Sequence, residues 1–592
     1  MQTLPQYLAE ALGGPPRPRA FAERLGAPAW TYTSSARMLE RTTAVAHALA
    51  QSGIGAGDRV AIVANNSVNW LVADFGILFG GCVVVPIFAT LAPDQIDYIL
   101  RDSGAKLCFV ETSADATRLS TGLTNPPRFV HFTGDGLDAL ASFEAAGAAA
   151  AAANPGALSS FTQATRPDDL AVLIYTSGTT GNSKGVMLSH RNLVSNAEAA
   201  VALLPAGMRA APQPVLSVLP FAHIYEHTLV NTFTKLRAEL SITRPDHFLE
   251  DLKTARPRCM ALVPRIFERV LARIHGKSLA EGGVKAKLVP WALHVGRDYL
   301  AATQDGGKAG GLLGLQFAIA QRLVLGKIKH AIGLDRLEFF ASGSAPLHRD
   351  IALTFAAMGL PVAEGYGLTE TSPIVSGSPV DAIRYGSVGK PIAGIDVKIA
   401  TDGEILVKGP NVMLGYYNLP NERPFTDDGY FQTGDIGTYD RDGYLYITDR
   451  KKELIKTSAG KYVAPARVEA ALKRSIYVAQ CFVLGDGRPH PIALVVPNWE
   501  LVREEFGISA GVPTEAIALR ADVHAFLQKE VVANSAGLAS FEAVRRIALL
   551  PRDLTIEDGD LSPTMKVKRR VVETKFADLI DSAYVMATAA AR

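Results

Sequence analysis

The sequence predicts an α/β protein in two parts: a large N-terminal domain of parallel-rich sheets flanked by helices (1–449) and a small C-terminal α+β domain (450–592). A chain of 592 residues is too long for one hydrophobic core. Short apolar runs alternate with helix-length segments through the first part, as in parallel strands joined by crossover helices. A charged stretch, DRKKELIK, begins at Asp449 and precedes a separate set of strand and helix patterns.

Composition excludes several classes of function. Apolar residues make up 48% and charged residues 20% of the chain, and the net charge is +2. The sequence therefore lacks the concentrated basic charge of a nucleic-acid-binding protein. The cysteines Cys82, Cys108, Cys259 and Cys481 form no CxxC pair, so neither a zinc site nor a disulfide framework is predicted. The N-terminus lacks the basic and apolar regions of a secretory signal, and we expect a cytoplasmic protein.

Four apolar runs predict buried strands: Arg59–Ala64, Lys106–Val110, Leu170–Tyr175 and Val215–Leu219. A fifth segment, Phe75–Ala92, has no charged residue and is almost long enough to span a membrane. Because it contains the breakers Gly80, Gly81 and Pro86, it is better interpreted as a buried helix followed by a buried strand.

Two other segments carry no predicted chemistry. The alanine-rich Ser142–Ser160 is interpreted as a low-complexity surface connection. A loop at Gln304–Gly311 precedes a predicted helix, Leu312–His330, which is apolar with a basic end. We expect this helix to pack on its own domain, and peripheral contact with the inner face of a membrane stays open as the alternative.

The run YTSGTTGNSKG at Tyr175–Gly185 follows a predicted buried strand and holds glycines, hydroxyls and Lys184. Glycines let a backbone approach an anion closely, and successive N–H groups form an anion-binding concavity. These features describe a cradle for a triphosphate. The GxxxxGK[ST] pattern of the common P-loop is not met, because Lys184 is followed by Gly185.

This loop resembles the signature of the adenylate-forming superfamily, which includes acyl-CoA synthetases, luciferases and peptide-synthetase adenylation domains. The resemblance covers about residues 30–575 and continues, in the family's order, through SGSAPL (Ser342–Leu347), EGYGLTE (Glu364–Glu370), GSVGKP (Gly386–Pro391), GEILVKGPNVMLGYYN (Gly403–Asn418), YFQTGDIG (Tyr430–Gly437), DRKKELIKTSAGKYVAPARVE (Asp449–Glu469) and LSPTMKVKRR (Leu561–Arg570). It implies the adenylate-forming fold with a mobile C-terminal domain, and activation of a carboxylic acid by ATP with Mg²⁺.

The resemblance also assigns residues to the nucleotide. The nucleotide-binding set is Thr176, Ser177, Gly178, Thr179, Thr180, Gly181, Lys184, Gly343, Ser344, Ala345, Glu364, Gly365, Tyr366, Gly367, Thr369, Asp435, Arg450 and Lys452. Within it, Tyr366 would stack on adenine, Thr369 would donate to the α-phosphate, and Asp435 would accept from the ribose. Glu370, with Thr176, would hold Mg²⁺.

The remaining roles concern catalysis. Lys566 aligns with the family's catalytic lysine, although Met565 precedes it where many members have glycine. Lys452 occupies the hinge position, about which the C-terminal domain would rotate between adenylation and thioester formation. Lys568, Arg569 and Arg570 are interpreted as solvated charges.

The choice of acid is read from other motifs. LPFAHIYEH at Leu219–His227 resembles the acyl-binding element, with His223 near the substrate carboxylate. This segment, VPRIFERV at Val263–Val270 and the C-terminal ending most resemble long-chain fatty acyl-CoA synthetases. We therefore expect a ligase that joins a fatty acid to coenzyme A, with no nucleic-acid partner. Adenylation of an aromatic or medium-chain acid, a carrier-protein acceptor, a non-catalytic binding protein and an oligomeric state stay open.

Overall fold

The computed structural model describes residues 1–123, 125–154, 162–176, 183–210, 212–451, 453–458, 460–535, 537–562 and 567–589. The strands are β1 Phe21–Glu23, β2 Thr31–Thr33, β3 Arg59–Val63, β4 Val83–Ile87, β5 Leu107–Val110, β6 Arg128–His131, β7 Leu170–Thr176, β8 Lys184–Ser189, β9 Pro214–Ser217, β10 Glu239–Ile242, β11 Cys259–Leu262, β12 Phe339–Ser342, β13 Val362–Gly367, β14 Ile374–Gly377, β15 Lys390–Pro391, β16 Asp396–Ile399, β17 Glu404–Lys408, β18 Gly415–Tyr416, β19 Phe431–Tyr439, β20 Leu445–Arg450, β21 Ile455–Lys456, β22 Tyr462–Val463, β23 Val478–Leu484, β24 Ile492–Pro497 and β25 Ile547–Leu549.

The α-helices are α1 Leu4–Gly13, α2 Ser35–Gln51, α3 Val68–Phe79, α4 Pro93–Ser103, α5 Ser113–Ser120, α6 Leu140–Ala153, α7 His190–Leu203, α8 Ala206–Arg209, α9 Ile224–Lys235, α10 Phe248–Ala255, α11 Pro264–Glu281, α12 Gly283–Thr303, α13 Gly311–Ala320, α14 Gly326–Ala331, α15 Arg349–Ala357, α16 Pro465–Leu472, α17 Trp499–Glu505, α18 Thr514–Ala518, α19 Ala521–Asn534, α20 Arg569–Lys575 and α21 Ala577–Ala589. A π-helical turn, Gln321–Leu325, joins α13 to α14, and 3₁₀ turns lie at Gln304–Gly306 and Thr369–Thr371.

Two large mixed sheets form the N-terminal part. One has nine strands in the order β15-β14-β13-β12-β11-β9-β10-β1-β2, and the other has seven in the order β18-β8-β7-β4-β3-β5-β6. In both, the central strands pair in parallel. Antiparallel strands lie at both edges of the nine-stranded sheet and at one edge of the seven-stranded sheet. Parallel strands buried on both faces explain the continuous apolar runs of the sequence. The predicted α/β architecture is confirmed.

The predicted strands are confirmed with ends that differ by one or two residues. They correspond to β3, β5, β7 and β9. Phe75–Ala92 contains the end of α3 and all of β4, and both elements are buried. The predicted helix Leu312–His330 corresponds to α13, the π-helical turn and α14.

The interpretation of Ser142–Ser160 as a surface connection is wrong for residues 142–153, which are helical, and residues 155–160 lie outside the described part of the chain. Residues 140–153 form helix α6, which packs against α2. Alanine has the highest helix propensity, so a run of six needs no polar pattern to become helical. A Cβ on Gly147 would lie 1.8 Å from the Ala44 carbonyl oxygen, so this glycine permits the close helix contact. Arg41 fixes the pair through Glu144 at 2.7 Å.

The C-terminal part has its own cores. Two clusters of buried side chains draw all their members from residues 455–583, one centred on β23 and α19 and the other on β24 and α21. A three-stranded sheet, β23-β24-β25, separates them. The division of the chain after residue 449 stays a prediction, and these separate cores support it.

Asp560 holds the C-terminal segment that precedes the LSPTMK motif. Its fully buried carboxylate accepts from Arg552 at 2.5 Å and from Lys575 at 2.9 Å. Burial alone would raise the pKa of Asp560, but the hydrogen bonds from these two cations outweigh it, so the pKa is lowered. The carboxylate therefore stabilises the fold above its unfolded-state pKa, and this contribution is lost as the pH falls through the lowered folded-state value.

We predict that Asp560→Asn lowers the free energy of unfolding of the C-terminal part by roughly 2–3 kcal/mol at neutral pH, because charge-assisted hydrogen bonds are lost. Urea unfolding of the full chain, followed by hydrogen exchange in residues 460–580, measures this. On acidification the variant and the wild type should converge. Equal stability at neutral pH would contradict the assignment, and Asp578→Asn, on the nearby surface, is the matched control.

Candidate active site

A cavity of about 780 Å³ lies between the two large sheets and the C-terminal part. It is far larger than a second, apolar cavity of about 30 Å³ that lies beside it. Its walls include the end of β7, the start of α9, the ends of β12 and β13, and the turn after β13. These elements bring together twelve of the predicted site residues: Thr176, Lys184, His223, Gly343, Ser344, Glu364, Gly365, Tyr366, Gly367, Thr369, Glu370 and Arg450.

Other predicted residues lie elsewhere. Asp435 is buried behind the wall and contacts two residues that line it. Ala345 is exposed and does not line the cavity. Seven further predictions fall outside the described residues: Ser177, Gly178, Thr179, Thr180, Gly181, Lys452 and Lys566.

Tyr366, Asp435 and Arg450 form one connected group. The Tyr366 hydroxyl donates to Asp435 at 2.7 Å, and the Arg450 Nε donates to its other oxygen at 2.9 Å. Burial and the neighbouring Asp435 charge hold the pKa of Tyr366 well above its ordinary value, so its hydroxyl keeps its proton. Burial disfavours the Arg450 cation, but Asp435 outweighs this effect and raises its pKa. The group fixes an aromatic ring at the cavity wall.

Gly367 explains why glycine follows this tyrosine. A Cβ there would lie 1.8 Å from the Pro373 carbonyl oxygen. Any side chain would therefore push β13 away from the returning chain at β14. The close approach sets the start of the 3₁₀ turn that carries Thr369 and Glu370.

Glu364 lies on the same wall with an unusual environment. Burial raises the pKa of its carboxyl to about 8, despite hydrogen bonds from the backbone of Gly386 and Leu347. The group is therefore protonated at neutral pH. Among the described residues, its Oε1 has no hydrogen-bond partner. A buried polar atom of this kind at a cavity wall fits a bound ligand that supplies the partner.

Lys184, Tyr416, Glu370 and Glu422 line one side of the cavity, where the phosphates are predicted to lie. The Lys184 ammonium donates to Glu422 and lies 5.2 Å from the Tyr416 ring centroid. The Tyr416 hydroxyl donates to Glu370 at 2.9 Å. The predicted phosphate-binding lysine and the predicted magnesium-binding glutamate therefore lie on either side of one tyrosine.

The donor set fits Mg²⁺ bound together with a nucleotide. In the described part of the chain, no group of three or more His, Cys, Asp or Glu side chains could hold a metal by itself. Mg²⁺ is commonly held by one or two carboxylates plus substrate phosphates and water. Glu370 uses one oxygen to accept from Tyr416, and a carboxylate has further acceptor capacity.

Asp102, on α4, anchors the strand that enters the phosphate loop. The Tyr175 hydroxyl donates to its carboxylate at 2.5 Å, and Asn418 donates to its backbone oxygen at 3.2 Å. Burial and this hydrogen bond both raise the pKa of Tyr175 far above its ordinary range. Asp102 thus ties the last residues before the loop to the GYYN segment that carries Tyr416.

His223 lies where β9 turns into α9. It is the N-cap of the helix, and its Nδ1 accepts from the backbone N–H of Tyr225 at 3.1 Å. Behind it, burial raises the pKa of Glu226 to about 8. The next residue, His227, pairs with the buried carboxylate of Asp74 at 3.0 Å. These buried contacts fix the helix that presents His223 and Tyr225 to the cavity.

The cavity has an apolar side. Its lining there includes Leu203, Leu229 and Phe339, from α7, α9 and β12. A second cavity of about 30 Å³ shares part of this wall and is bounded further in by Phe233, Met260 and Ala261. The residues that line both cavities are Ala200, Leu204, Leu229, Phe339 and Ala341. The apolar side therefore points inward, between α7, α9 and the nine-stranded sheet.

The C-terminal part closes the opposite side. Ser562 and Lys568, which flank the undescribed residues 563–566, line the cavity. Arg569 was wrongly interpreted as a solvated charge. It is partly buried and donates to Glu469 at 2.9 Å and to Glu453 at 3.2 Å. The Val483 carbonyl is a third acceptor beside these two carboxylates. Together the three acceptors compensate the loss of hydration of the Arg569 guanidinium.

Two family models match this chain. The family described as "AMP-binding enzyme" matches residues 10–417, and the family described as "AMP-binding enzyme C-terminal domain" matches residues 452–588. This chain belongs to the AMP-binding enzyme family. The enzyme is 35% identical to the long-chain-fatty-acid–CoA ligase FadD15 of Mycobacterium bovis, over 94% of this chain and 92% of that protein. It is 30% identical to the human long-chain-fatty-acid–CoA ligase 1, over 94% and 82%.

Solved structures agree on the fold of this AMP-binding enzyme. ATP-bound MatB from Rhodopseudomonas palustris has a TM-score of 0.69 and 25% identity, and the match covers 97% of this chain and 99% of that one. The A domain of carboxylic acid reductase from Segniliparus rugosus has a TM-score of 0.72 at 21% identity, covering 99% and 94%. The predicted adenylate-forming fold is confirmed.

Several residues of the enzyme's site were not predicted from the sequence. Asp102 and Glu422 lie outside the quoted motifs, and Tyr416 lies inside one without an assigned role. The Lys184–Glu422 contact joins positions 238 apart, and the Tyr175–Asp102 contact joins positions 73 apart. Only the tertiary fold brings these residues together.

We predict that Tyr175→Phe and Asp102→Ala each raise the KM for ATP by roughly fivefold, because a lost hydrogen bond of about 1 kcal/mol loosens the loop that follows. The KM for the acid should change little. The double variant should lose no more than the larger single effect, because both changes remove the same contact. Additive losses, or an equal effect of the exposed control Asp94→Asn, would contradict this role.

Proposed function

We propose that this enzyme activates a long-chain fatty acid as an acyl-adenylate and then transfers the acyl group to coenzyme A. The observation that carries the proposal is the single cavity in which the polar wall of Tyr366, Thr369 and Glu370 continues into the inward apolar side. Such a cavity suits one molecule that is a nucleotide at one end and a hydrocarbon chain at the other. The named relatives support a long-chain fatty acid and coenzyme A as substrates.

The nucleotide occupies the polar side. Tyr366 stacks on adenine, and the Asp435 carboxylate accepts from the ribose hydroxyls, with Arg450 beside it. Thr369 donates to the α-phosphate. The ATP phosphates compete with Glu422 for Lys184, so this contact opens when ATP binds. The fixed position of Tyr366 supports this orientation.

The acid occupies the apolar side, with its carboxylate near His223. In the first step a carboxylate oxygen attacks the α-phosphorus of ATP, and pyrophosphate leaves. In the second step the thiolate of coenzyme A attacks the acyl carbonyl carbon, and AMP leaves with the oxygen that joined the two groups. Both steps bring anions together, so fixed positive charges and orientation supply most of the rate enhancement.

We assign Lys566 to the first step, where its ammonium bridges the substrate carboxylate and the α-phosphate. Ser562 and Lys568 at the cavity support this role. Mg²⁺ bound with the nucleotide by Glu370 and Thr176 neutralises phosphate charge.

Lys452 is proposed as the hinge about which the C-terminal domain, residues 450–592, rotates between the steps. The contacts on either side support this. Lys451 is held by Asp402 and Glu404 of the large part at 2.6 and 2.8 Å, and Glu453 by Arg569 of the small part at 3.2 Å. A rotation therefore concentrates between residues 451 and 453. A cytoplasmic location and an oligomeric state stay predictions.

Pyrophosphate release with a panel of acids tests the proposed function. We expect palmitate and oleate to give AMP and pyrophosphate in equal amounts and, with coenzyme A, an acyl thioester. Octanoate should react more weakly, because each buried CH₂ group contributes roughly 0.8 kcal/mol. Activity on benzoate alone, or ADP as the product, would exclude the proposal.

The same assay tests the catalytic lysine. Lys566→Ala should lower the rate of acyl-adenylate formation by at least about a hundredfold, because it removes a charge at the transition state. Arg570→Ala, an exposed cation four residues away, is the matched control and should keep the wild-type rate. If Lys566→Ala keeps full activity, the assignment of Lys566 is wrong.

The inner apolar wall predicts chain-length selectivity. Ala261→Phe should lower kcat/KM for palmitate at least about tenfold while octanoate and ATP are little affected, because the new ring fills the inner cavity. Thermal unfolding separates this effect from a folding defect, and Ala261→Gly is the control. Equal losses for all acids would place the acyl chain elsewhere.

A further inference from the structure

The segment Gly311–Ala331, formed by α13, the π-helical turn and α14, is the most exposed apolar helix in the described part of the chain. It is 21 residues long. Its most apolar stretch of 18 residues has a mean hydropathy of 1.2, and only 17% of that stretch is buried. It is also the one helix of the described residues that is long and apolar enough to cross a membrane. Contiguous exposed apolar surface on a folded protein marks an interaction site.

The exposed apolar side chains lie on one face of this segment. Leu312, Leu315, Ile319 and Leu323 are 72%, 60%, 43% and 46% exposed. Their spacing of three, four and four residues places them in a row along a helix. The row covers about 16 Å at 1.5 Å per residue. It is a ridge of large apolar side chains, not a single exposed leucine.

The opposite face is fixed to the enzyme. Phe317 stacks on Tyr299 of α12 with ring centroids 4.1 Å apart and planes 7° from parallel. Ala320, Val324 and Leu325 are buried. A helix held on one side by its own domain cannot be surrounded by lipid, so this segment lies on a surface and does not span a bilayer.

The charge on the exposed face has one sign. Between residues 306 and 334 the sequence has no Asp or Glu. Lys308 is exposed before the helix, and Arg322, Lys327 and His330 are exposed along its second half. The apolar row is therefore continued by the cations Arg322 and Lys327, the arrangement of helices that lie at the interface of an anionic membrane.

We propose that this face, defined by Leu312, Leu315, Ile319 and Leu323 with Arg322 and Lys327, docks the enzyme on an anionic lipid bilayer. A second copy of the chain fits less well, because self-pairing would bring cations onto a face with no carboxylates of its own. An anionic bilayer supplies both the apolar layer and the negative charge. The proposal deepens the proposed function, since a long-chain acid substrate partitions into the same bilayer.

Vesicle flotation with the full-length enzyme tests the proposal. The probes are phosphatidylcholine vesicles with and without phosphatidylglycerol. We expect binding to the anionic vesicles that falls as salt is raised. The triple variant Leu315→Gln, Ile319→Gln, Leu323→Gln should reduce the binding constant at least about tenfold. Arg322→Gln with Lys327→Gln should remove most of the salt dependence.

The control changes three apolar residues elsewhere that are at least as exposed as Leu323: Leu137→Gln, Leu519→Gln and Val532→Gln. It should bind vesicles like the wild type. Pyrophosphate release with octanoate in solution should stay unchanged in every variant, so a failed docking proposal is distinguishable from a failed enzyme assignment. Absent vesicle binding, or equal loss in test and control variants, overturns the proposal. If light scattering shows a dimer that only the triple variant abolishes, and no vesicle binding is found, the face binds a second copy of the chain instead.

Discussion

The carboxylate of Asp435 is the contact on which the arrangement of the site depends. Because this carboxylate is buried, hydrogen-bond donors must compensate the loss of its hydration. Its two side-chain donors come from different parts of the molecule. Tyr366 belongs to the nine-stranded sheet, and Arg450 ends β20 of a separate four-stranded sheet, β16-β17-β19-β20, just before the C-terminal part. One negative charge thus sets the position of an aromatic ring, of a second sheet and of the connection to the smaller part.

The charged side chains around the cavity are held in place by ion pairs in the same way. Cations and carboxylates line it together, and each cation with a described contact is held in a definite place: Lys184 by Glu422, Arg450 by Asp435, and Lys451 by Asp402 and Glu404. A site that brings two anionic substrates together needs positive charge that is already in place before the chemical step. The apolar side needs only volume and enclosure, which α7, α9 and the sheet provide.

Local features were predictable from the sequence, and contacts between distant segments were not. The apolar run Leu170–Tyr175 and the breaker residues within Phe75–Ala92 specify their own elements, and those predictions are confirmed. Ten of the eighteen residues that the motif resemblance assigned to the nucleotide line one cavity, and their roles stay predictions. The alanine-rich helix was missed because alanine carries no periodic pattern, and its packing depends on Gly147 meeting α2. Arg569 was missed because its acceptors lie 100 and 116 positions away.

Transfer of an oxygen atom tests the central claim most directly. The account has a carboxylate oxygen attack the α-phosphorus, and that oxygen leaves with AMP when the thiol attacks. Turnover of palmitate labelled with oxygen-18 in its carboxyl group should therefore give AMP that carries one labelled oxygen, measured by mass spectrometry. Label in inorganic phosphate, or unlabelled AMP accompanying thioester formation, would contradict an acyl-adenylate formed in this cavity.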